Sequence, residues 1–427
     1  MKTIDVKCFG AIGDGICDDT AALQRAIDTC AAQSTTLVIT PGLYYTGTLF
    51  LKSGLHLVLE ESAQLLGAVD LQAYHACSPF VDAVGVTRGR ALLVAHEIEN
   101  LLLEGTGTVN GNGSHVVCDN DRPFLFHVEK CRNVTLRNIR LEGSVSWCLH
   151  IDRCKDVTVD HVTVYNRGME NNDGIDIDAS ENVQIRNCDL SCGDDALCLK
   201  TTSVNPCRNI HIQNCRVSTN WGAFKIGTES CGDFSDILIE DCHFYDVLGG
   251  GIKIVPVDGG CVSNVVIRNI TMTHCTGPIF IANGARNRAY AGWKNENLSV
   301  IRNVLIENIE ADVITAPVRG MYDGEDWGGA LGGVLLSGTP AVHLENITLQ
   351  NLKLQLPGGF VDASHDFQVR ELEGLYPEFH RLDPVPAKGV YIRHGKNICL
   401  KNLQLTYKAA DSRAELYTED VAGLTVE

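Results

Sequence analysis

The chain has 427 residues, 44% hydrophobic and 21% charged, and 53 Asp+Glu against 35 Lys+Arg give a formal charge of −18. That balance opposes binding to nucleic acid or to an anionic membrane, both of which need a broad basic field. No apolar run of about 18 residues is present, so no transmembrane helix is expected, and the length suffices for a large core without disulfide staples.

Read from the N-terminus, Met1–Val6 enters an apolar pattern with no signal-peptide hydrophobic region, from which a cytoplasmic location is expected. Residues 18–30 predict an amphipathic helix. Asp18 or Asp19 would cap it, and Leu23, Ala26, Ile27 and Cys30 form one face. A helix there would close the first end of a strand stack, whose open edge otherwise invites aggregation.

From residue 100 onward a nine-residue pattern recurs: Asn or Asp, apolar, any, apolar, any, often Asn or Asp, apolar or Cys, any, apolar. A degenerate copy starts at Asn100. Clear copies start at Asn133, Asp156, Asn182, Asn209, Asp236 and Asn264, at intervals of 23, 26, 27, 27 and 28 residues. Weaker copies follow at Asn303, Asn346 and Asn397. Period-two alternation means strand, and a strand-rich repeat of about 22–28 residues predicts one turn of a parallel β-helix. The expected fold class is therefore all-β, a single-stranded right-handed parallel β-helix with an N-terminal helical cap. It is read as one domain, with a capping module at 1–50, turns at 51–410 and a C-terminal end at 411–427. The recurrent Asn is expected to sit at a corner and hydrogen-bond its counterpart one turn on. Asn133, Asn269, Asn297 and Asn346 also form Asn-x-Ser/Thr sequons, read here as members of that ladder.

Eighteen cysteines accompany the repeat. Cys188, Cys215 and Cys242 are 27 residues apart, and each follows an Asn or Asp. No C-x-x-C pair occurs, so buried thiols in repeat positions are expected rather than disulfides or a metal site.

Between the repeats lies a second strand per turn, and these strands align as Trp147–Asp152, Asp173–Asp178, Asp195–Lys200, Gly222–Gly227 and Gly250–Val255. Third-column residues Leu149, Ile175, Leu197, Phe224 and Ile252 are apolar and expected inside. The fourth column, His150, Asp176, Cys198, Lys225 and Lys253, is expected on an exposed face, over a floor of Gly and Ala in the second column. Asp173 and Asp195 begin neighbouring turns, and Asp194 precedes Asp195. Three carboxylates within about two rung spacings suit general acid–base hydrolysis, because mutual repulsion favours sharing a proton. Long segments at 284–299, 316–340 and 356–388 interrupt the late repeats and are expected to overhang one face.

Two of these motifs carry a resemblance. Asn171-Asn172-Asp173-Gly174 and Gly193-Asp194-Asp195, with 22 residues from Asp173 to Asp195, resemble the paired acidic motifs of glycoside hydrolase family 28, the polygalacturonases. Gly105–Gly113 is similar to the family's glycine-rich early turn, and Phe9–Thr20 to the N-terminal module of pectin-active β-helices. The resemblance covers about residues 4–410. It implies inverting single displacement with Asp194 as general acid and Asp173 and Asp195 on the attacking water, no cofactor and no metal. Two positions depart from the family pattern. Trp221-Gly222-Ala223 stands where the family has Gly-His-Gly, and Lys253-Ile254-Val255 where it has Arg-Ile-Lys.

The implied substrate is a pectic oligosaccharide containing galacturonic acid, taken by an exo-acting enzyme. Candidate substrate-binding residues are His150, Asp176, Lys200, Lys225, Glu229 and Lys253, and from the late segments Arg286, Arg288, Tyr376, Glu378, Arg393 and His394. Lysines bind a uronate carboxylate as point charges, less directionally than arginine. The rival readings are a β-helix polysaccharide lyase with Ca²⁺ on the aspartates, a C5-epimerase, and a non-catalytic carbohydrate-binding solenoid. The last predicts aromatic platforms on the groove, and the aligned strands supply only Trp147.

Overall fold

The computed structural model describes the chain except for residues 1, 83–84, 119–120, 291, 316–317, 320–325, 328–332 and 383, and at 318–319 and 326–327 it describes the backbone alone. Two compact units are distinguished, Met1–Leu197 with Ile210–Cys215, and Cys198–Asn209 with Arg216–Glu427.

Each unit is a stack of parallel strands. In the first, Thr36–Ile39 pairs with His56–Leu59, which pairs with Glu99–Gly105, then Arg132–Arg137, Lys155–Asp160 and Glu181–Arg186. In the second, Phe234–Glu240 pairs with Cys261–Cys275, followed by Val300–Val313, Leu344–Leu356, Ala387–Tyr407 and Ala414–Val426. An antiparallel ribbon, His75–Val81 against Thr87–His96, departs from this plan in the first unit. Among the described residues no helix is long and apolar enough to cross a membrane.

The repeated Asn and Asp mark the corners. Asn133, Asp156, Asn182, Asn209, Asp236, Asn264, Asn303, Asn346 and Asn397 all have φ between 54° and 61°. That left-handed conformation is costly for most side chains and tolerated by Asn and Asp, whose short polar groups bond locally. The expected ladder is present in both units. Asn133 Nδ2 donates to Asn100 Oδ1 at 2.7 Å and Asn182 to Asp156 at 2.8 Å, while Asn264 donates to Asp236 at 3.1 Å and Asn346 to Asn303 at 3.0 Å.

The N-terminal helix spans Thr20–Ala32 and buries Ala22, Leu23, Ala26, Ile27 and Cys30. Its two acids divide the work. Asp18 Oδ1 accepts from Thr20 N at 2.9 Å, whereas Asp19 turns back to accept from Ile12 N at 2.7 Å and Gly13 N at 2.9 Å. All 18 cysteines are free thiols, and Cys188, Cys215 and Cys242 are buried. Each donates to the carbonyl two residues back, at 3.2, 3.3 and 3.2 Å, so the thiol serves the corner as a small apolar group with a weak donor.

Candidate active site

The third-column residues point inward as expected: Leu149, Ile175 and Leu197 in the first unit, and Phe224 and Ile252 in the second, are all 0% exposed. The expected open face is corrected by the structure. His150, Asp176, Cys198, Lys225 and Lys253 are also buried, and around His150, Lys225 and Lys253 side chains from outside this column close over it. In the first unit Phe80, Phe124 and Trp147 cluster, with their rings 5.9, 5.1 and 5.2 Å from His150. In the second, the column beyond Lys253 turns apolar with Phe280, Leu335 and Tyr391, and Leu372, Phe379, Leu382 and Val385 pack on it.

The acidic motifs meet in the first unit on adjacent rungs. Gly174 N donates to the Asp195 carbonyl at 2.9 Å, and Ile175 N to that of Ala196 at 2.9 Å. Asp173 and Asp195 are therefore one strand spacing apart, with Asp194 beside them. A Cβ on Gly174 would lie 2.4 Å from the Ala196 carbonyl oxygen, so the rung closes only with glycine there. The turn before it is held by amides. Asn172 Nδ2 donates to the carbonyls of Ser144 and Ser146 at 3.0 and 3.2 Å, and Asn166 Nδ2 to that of Asp173 at 2.8 Å. Asp173, Asp194 and Asp195 are 2–3% exposed.

Asp194 is fixed through both oxygens. Oδ1 accepts from Asp195 N at 2.9 Å and Oδ2 from Asn171 Nδ2 at 3.2 Å. Asn171 Oδ1 in turn accepts from Arg88 Nη2 at 3.1 Å and from Arg122 Nη2. Arg88 is 0% exposed, stacks over Trp147 at 5.2 Å and pairs with Asp82 at 2.8 Å. Sequence reasoning missed Arg88, Arg122 and Asp82. They lie outside the repeat, and no local pattern ties them to Asn171.

His150, a sequence candidate for substrate binding, is engaged inside the first unit. Its Nδ1 meets His127 Nδ1 at 3.1 Å and its Nε2 meets Asp178 Oδ2 at 3.2 Å. Asp176 lies opposite His150 on the next rung.

The second unit gathers the cations. Lys225 and Lys253 are register partners, as the alignment expected. Lys225 Nζ donates to the Tyr376 hydroxyl at 2.9 Å, and Lys253 Nζ to both oxygens of Glu378 at 2.6 and 2.7 Å. The segment 356–388 thus does reach over these strands, and Glu378 is a counter-ion for Lys253. Segment 316–340 lies largely outside the described residues. Lys200 Nζ is 3.5 Å from Glu229. Burial alone would raise the Glu229 carboxyl, but Lys200, then Lys225 and Arg286, outweigh it and hold it at about 2.

Arg286 pairs with Asp258, with Nε 2.9 Å from Oδ1, and Arg288 N donates to the same carboxylate at 2.9 Å. Arg393 and His394 serve other ties. Arg393 donates to Ser337 Oγ at 2.8 Å and to the carbonyls of Val369 and Arg370 at 3.2 and 2.6 Å, while His394 meets Asp420 at 2.7 Å and Glu371 at 3.0 Å.

The solved structures of two exopolygalacturonases share the fold. That from Yersinia enterocolitica is 17% identical with a TM-score of 0.76, covering 99% of this chain and 78% of that one. That from Thermotoga maritima is 18% identical with a TM-score of 0.73, covering 95% of this chain and 92% of that one. The fold is accordingly the right-handed parallel β-helix. A polygalacturonase of Malus domestica is 24% identical over 370 residues, 83% of this chain and 75% of the apple protein. The model of glycosyl hydrolases family 28 matches residues 76–327, the stretch that holds Asn171–Gly174 and Gly193–Asp195. With its acidic pair on adjacent rungs inside that stretch, the chain belongs to glycosyl hydrolases family 28 and is a glycoside hydrolase.

Proposed function

We propose that the protein hydrolyses galacturonic-acid-containing pectic oligosaccharides from one chain end, by single displacement with inversion. The observation that carries this reading is the carboxyl of Asp194, aimed by two hydrogen bonds beside Asp173 and Asp195 on adjacent rungs. In it Asp194 protonates the leaving oxygen, and Asp173 and Asp195 hold and deprotonate the attacking water. Recognition of the uronate carboxylate is assigned to the cationic side chains of the second unit, where Lys200, Lys225 and Arg286 gather around Glu229. The polygalacturonase names of the relatives support pectic substrates, and those of the two structural neighbours support end-wise action. Eighteen free thiols support action in a reducing compartment, the cytoplasm, on short imported chains.

The test is digestion of defined oligogalacturonates, followed by NMR of the first-formed anomer and chromatography of product sizes. Monomer with inverted anomeric configuration is expected. Asp194→Asn should lower turnover by about 10²- to 10⁴-fold while substrate still binds. Ultraviolet-absorbing unsaturated products would mean a lyase, and normal turnover by Asp194→Asn would overturn the acid assignment.

A further inference from the structure

Three metal-ligating side chains meet in the first unit with a fourth, His127, beside one of them, and none is used in the acid–base step. Cys77 comes from the first strand of the antiparallel ribbon and His96 from the end of the second, while His127 and Glu129 come from the strand Phe124–Glu129, where Glu129 is the register partner of His96. Glu129 Oε2 is their meeting point. Cys77 Sγ lies 3.3 Å from it, His96 Nδ1 2.8 Å and His127 Nε2 3.7 Å. The ligand atoms of Cys77, His96 and Glu129 all lie within 4.8 Å of one another. A tetrahedral ion with bonds of about 2.0–2.3 Å needs ligand–ligand edges of about 3.3–3.7 Å, so these three close on an ion by side-chain adjustment, with His127 entering from the Glu129 side.

His127 supplies an independent sign. It is 1% exposed, and its Nε2 has no hydrogen-bond partner. The tautomers follow from its neighbours. The Asp178 carboxylate accepts from His150 Nε2 at 3.2 Å, so Nδ1 of a neutral His150 accepts. His127 Nδ1, 3.1 Å away, therefore donates. In that tautomer the Nε2 lone pair of His127 faces Glu129 Oε2 at 3.7 Å, a buried repulsion that either a proton on Nε2 or a cation between the two relieves.

The surroundings match such an ion. Glu97, Glu129, Asp152 and Asp178 outnumber Arg153 and Lys130 by two. Arg153 Nη2 takes Glu129 Oε1 at 2.6 Å, and Lys130 Nζ lies 3.8 Å from the same oxygen, so Oε2 is the one left for a ligand bond. The second ring nitrogen of His96 lies 3.7 Å from Glu97, and His127 is backed by His150 and Asp178, the outer-shell pattern that orients metal-binding imidazoles. The His96 side chain is 35% exposed, which gives an ion a way in.

We propose that Cys77, His96, His127 and Glu129 bind a divalent cation of the zinc class, which clips the ribbon 75–96 to the strand stack. The mixed sulfur, nitrogen and oxygen donor set selects this class over calcium or magnesium. The whole chain, treated with a chelator and then freed of it, is titrated with Co²⁺ alone. One equivalent is expected to bind with tetrahedral d–d bands and a thiolate-to-cobalt charge-transfer band. Zn²⁺ should displace it and raise Tm. Cys77→Ser, at a half-buried position where folding should survive, should lose the charge-transfer band and weaken binding by roughly 100-fold or more. His343→Ala, in the second unit's His343–His394–Asp420 group, should change nothing. An octahedral spectrum, a charge-transfer band that survives Cys77→Ser, or the absence of a Tm shift with Zn²⁺ would each overturn the proposal.

Discussion

In the first unit Asp194 accepts from two neutral donors, a backbone N–H and the Asn171 amide, and Arg88 donates to the oxygen of that amide. In the second unit Lys253 meets a carboxylate directly, on both oxygens of Glu378, and both side chains are 0% exposed. Amide donors orient a carboxylate without neutralising its charge. A buried charge held by its opposite is locked, since moving either partner strands the other in a low-dielectric site. Lys225 lies between these cases. It is Lys253's register partner, but its hydrogen bond goes to the neutral hydroxyl of Tyr376. Lys253 is thus tied directly to a carboxylate, where the sequence alone treated the two lysines as equals.

Separating the two lysines by mutation tests the comparison most severely. Lys253→Met should destabilise the protein by about 3–5 kcal/mol, because the buried Glu378 loses the cation that meets both its oxygens. Lys253→Met combined with Glu378→Leu should recover most of that loss. Lys225→Met should cost about 1–3 kcal/mol, yet lower kcat/KM on acidic oligosaccharides roughly 10- to 100-fold. Urea unfolding and steady-state kinetics on the three variants decide it. If Lys225→Met proves as destabilising as Lys253→Met and leaves kcat/KM unchanged, the distinction fails.

Glu229 sharpens the same comparison through pH. Its carboxyl falls from the ordinary 4.5 to about 2: burial pushes it up, and Lys200, Lys225 and Arg286 more than offset that. A folded-state pKa below the unfolded one gives stability that is present above about pH 4.5 and lost as pH falls towards 2. A drop of that size corresponds to about 3 kcal/mol. Unfolding free energies measured at pH 5 and pH 3 should therefore converge more in Glu229→Gln than in the wild type. Equal losses in both proteins would mean that the lysines do not hold the carboxylate.

What the sequence made legible was periodic. The inward column Leu149, Ile175 and Leu197, the corner asparagines, the buried thiols and the register of Lys225 with Lys253 all follow from a repeat that can be aligned by eye. The covering of the fourth column was only partly legible: Trp147 packs on His150 from the same aligned strand, but other partners come from far along the chain. Glu378 is 125 residues from Lys253, and Arg88 and Arg122 are 83 and 49 residues from Asn171. Such pairs are set by where loops return over the stack, and neither hydrophobic period nor corner chemistry encodes that. The helix boundary shows the local version. Thr20 and not residue 18 opens the helix, because Asp19 spends its carboxylate on Ile12 and Gly13.

The smallest expected effect tests what the two units share. Asn264 in the second unit and Asn182 in the first both stand at left-handed corners, with φ of 56° in each. Each donates to an Asp on the preceding rung, at 3.1 and 2.8 Å. Replacing either by Ala keeps the chain path but puts a Cβ without polar compensation into that conformation, a cost of about 1–2 kcal/mol. Replacement by Gly removes the steric part and leaves the lost ladder bonds, to Asp236 and from Asn303, so Asn264→Gly should fall between Asn264→Ala and the wild type. The same order is expected at Asn182, because the corner geometry is the repeat's own and does not depend on the charges of either site. If Gly proves no better than Ala at both positions, the ladder bond and not the backbone fixes the corner, and the choice of Asn over other residues would rest on its amide alone.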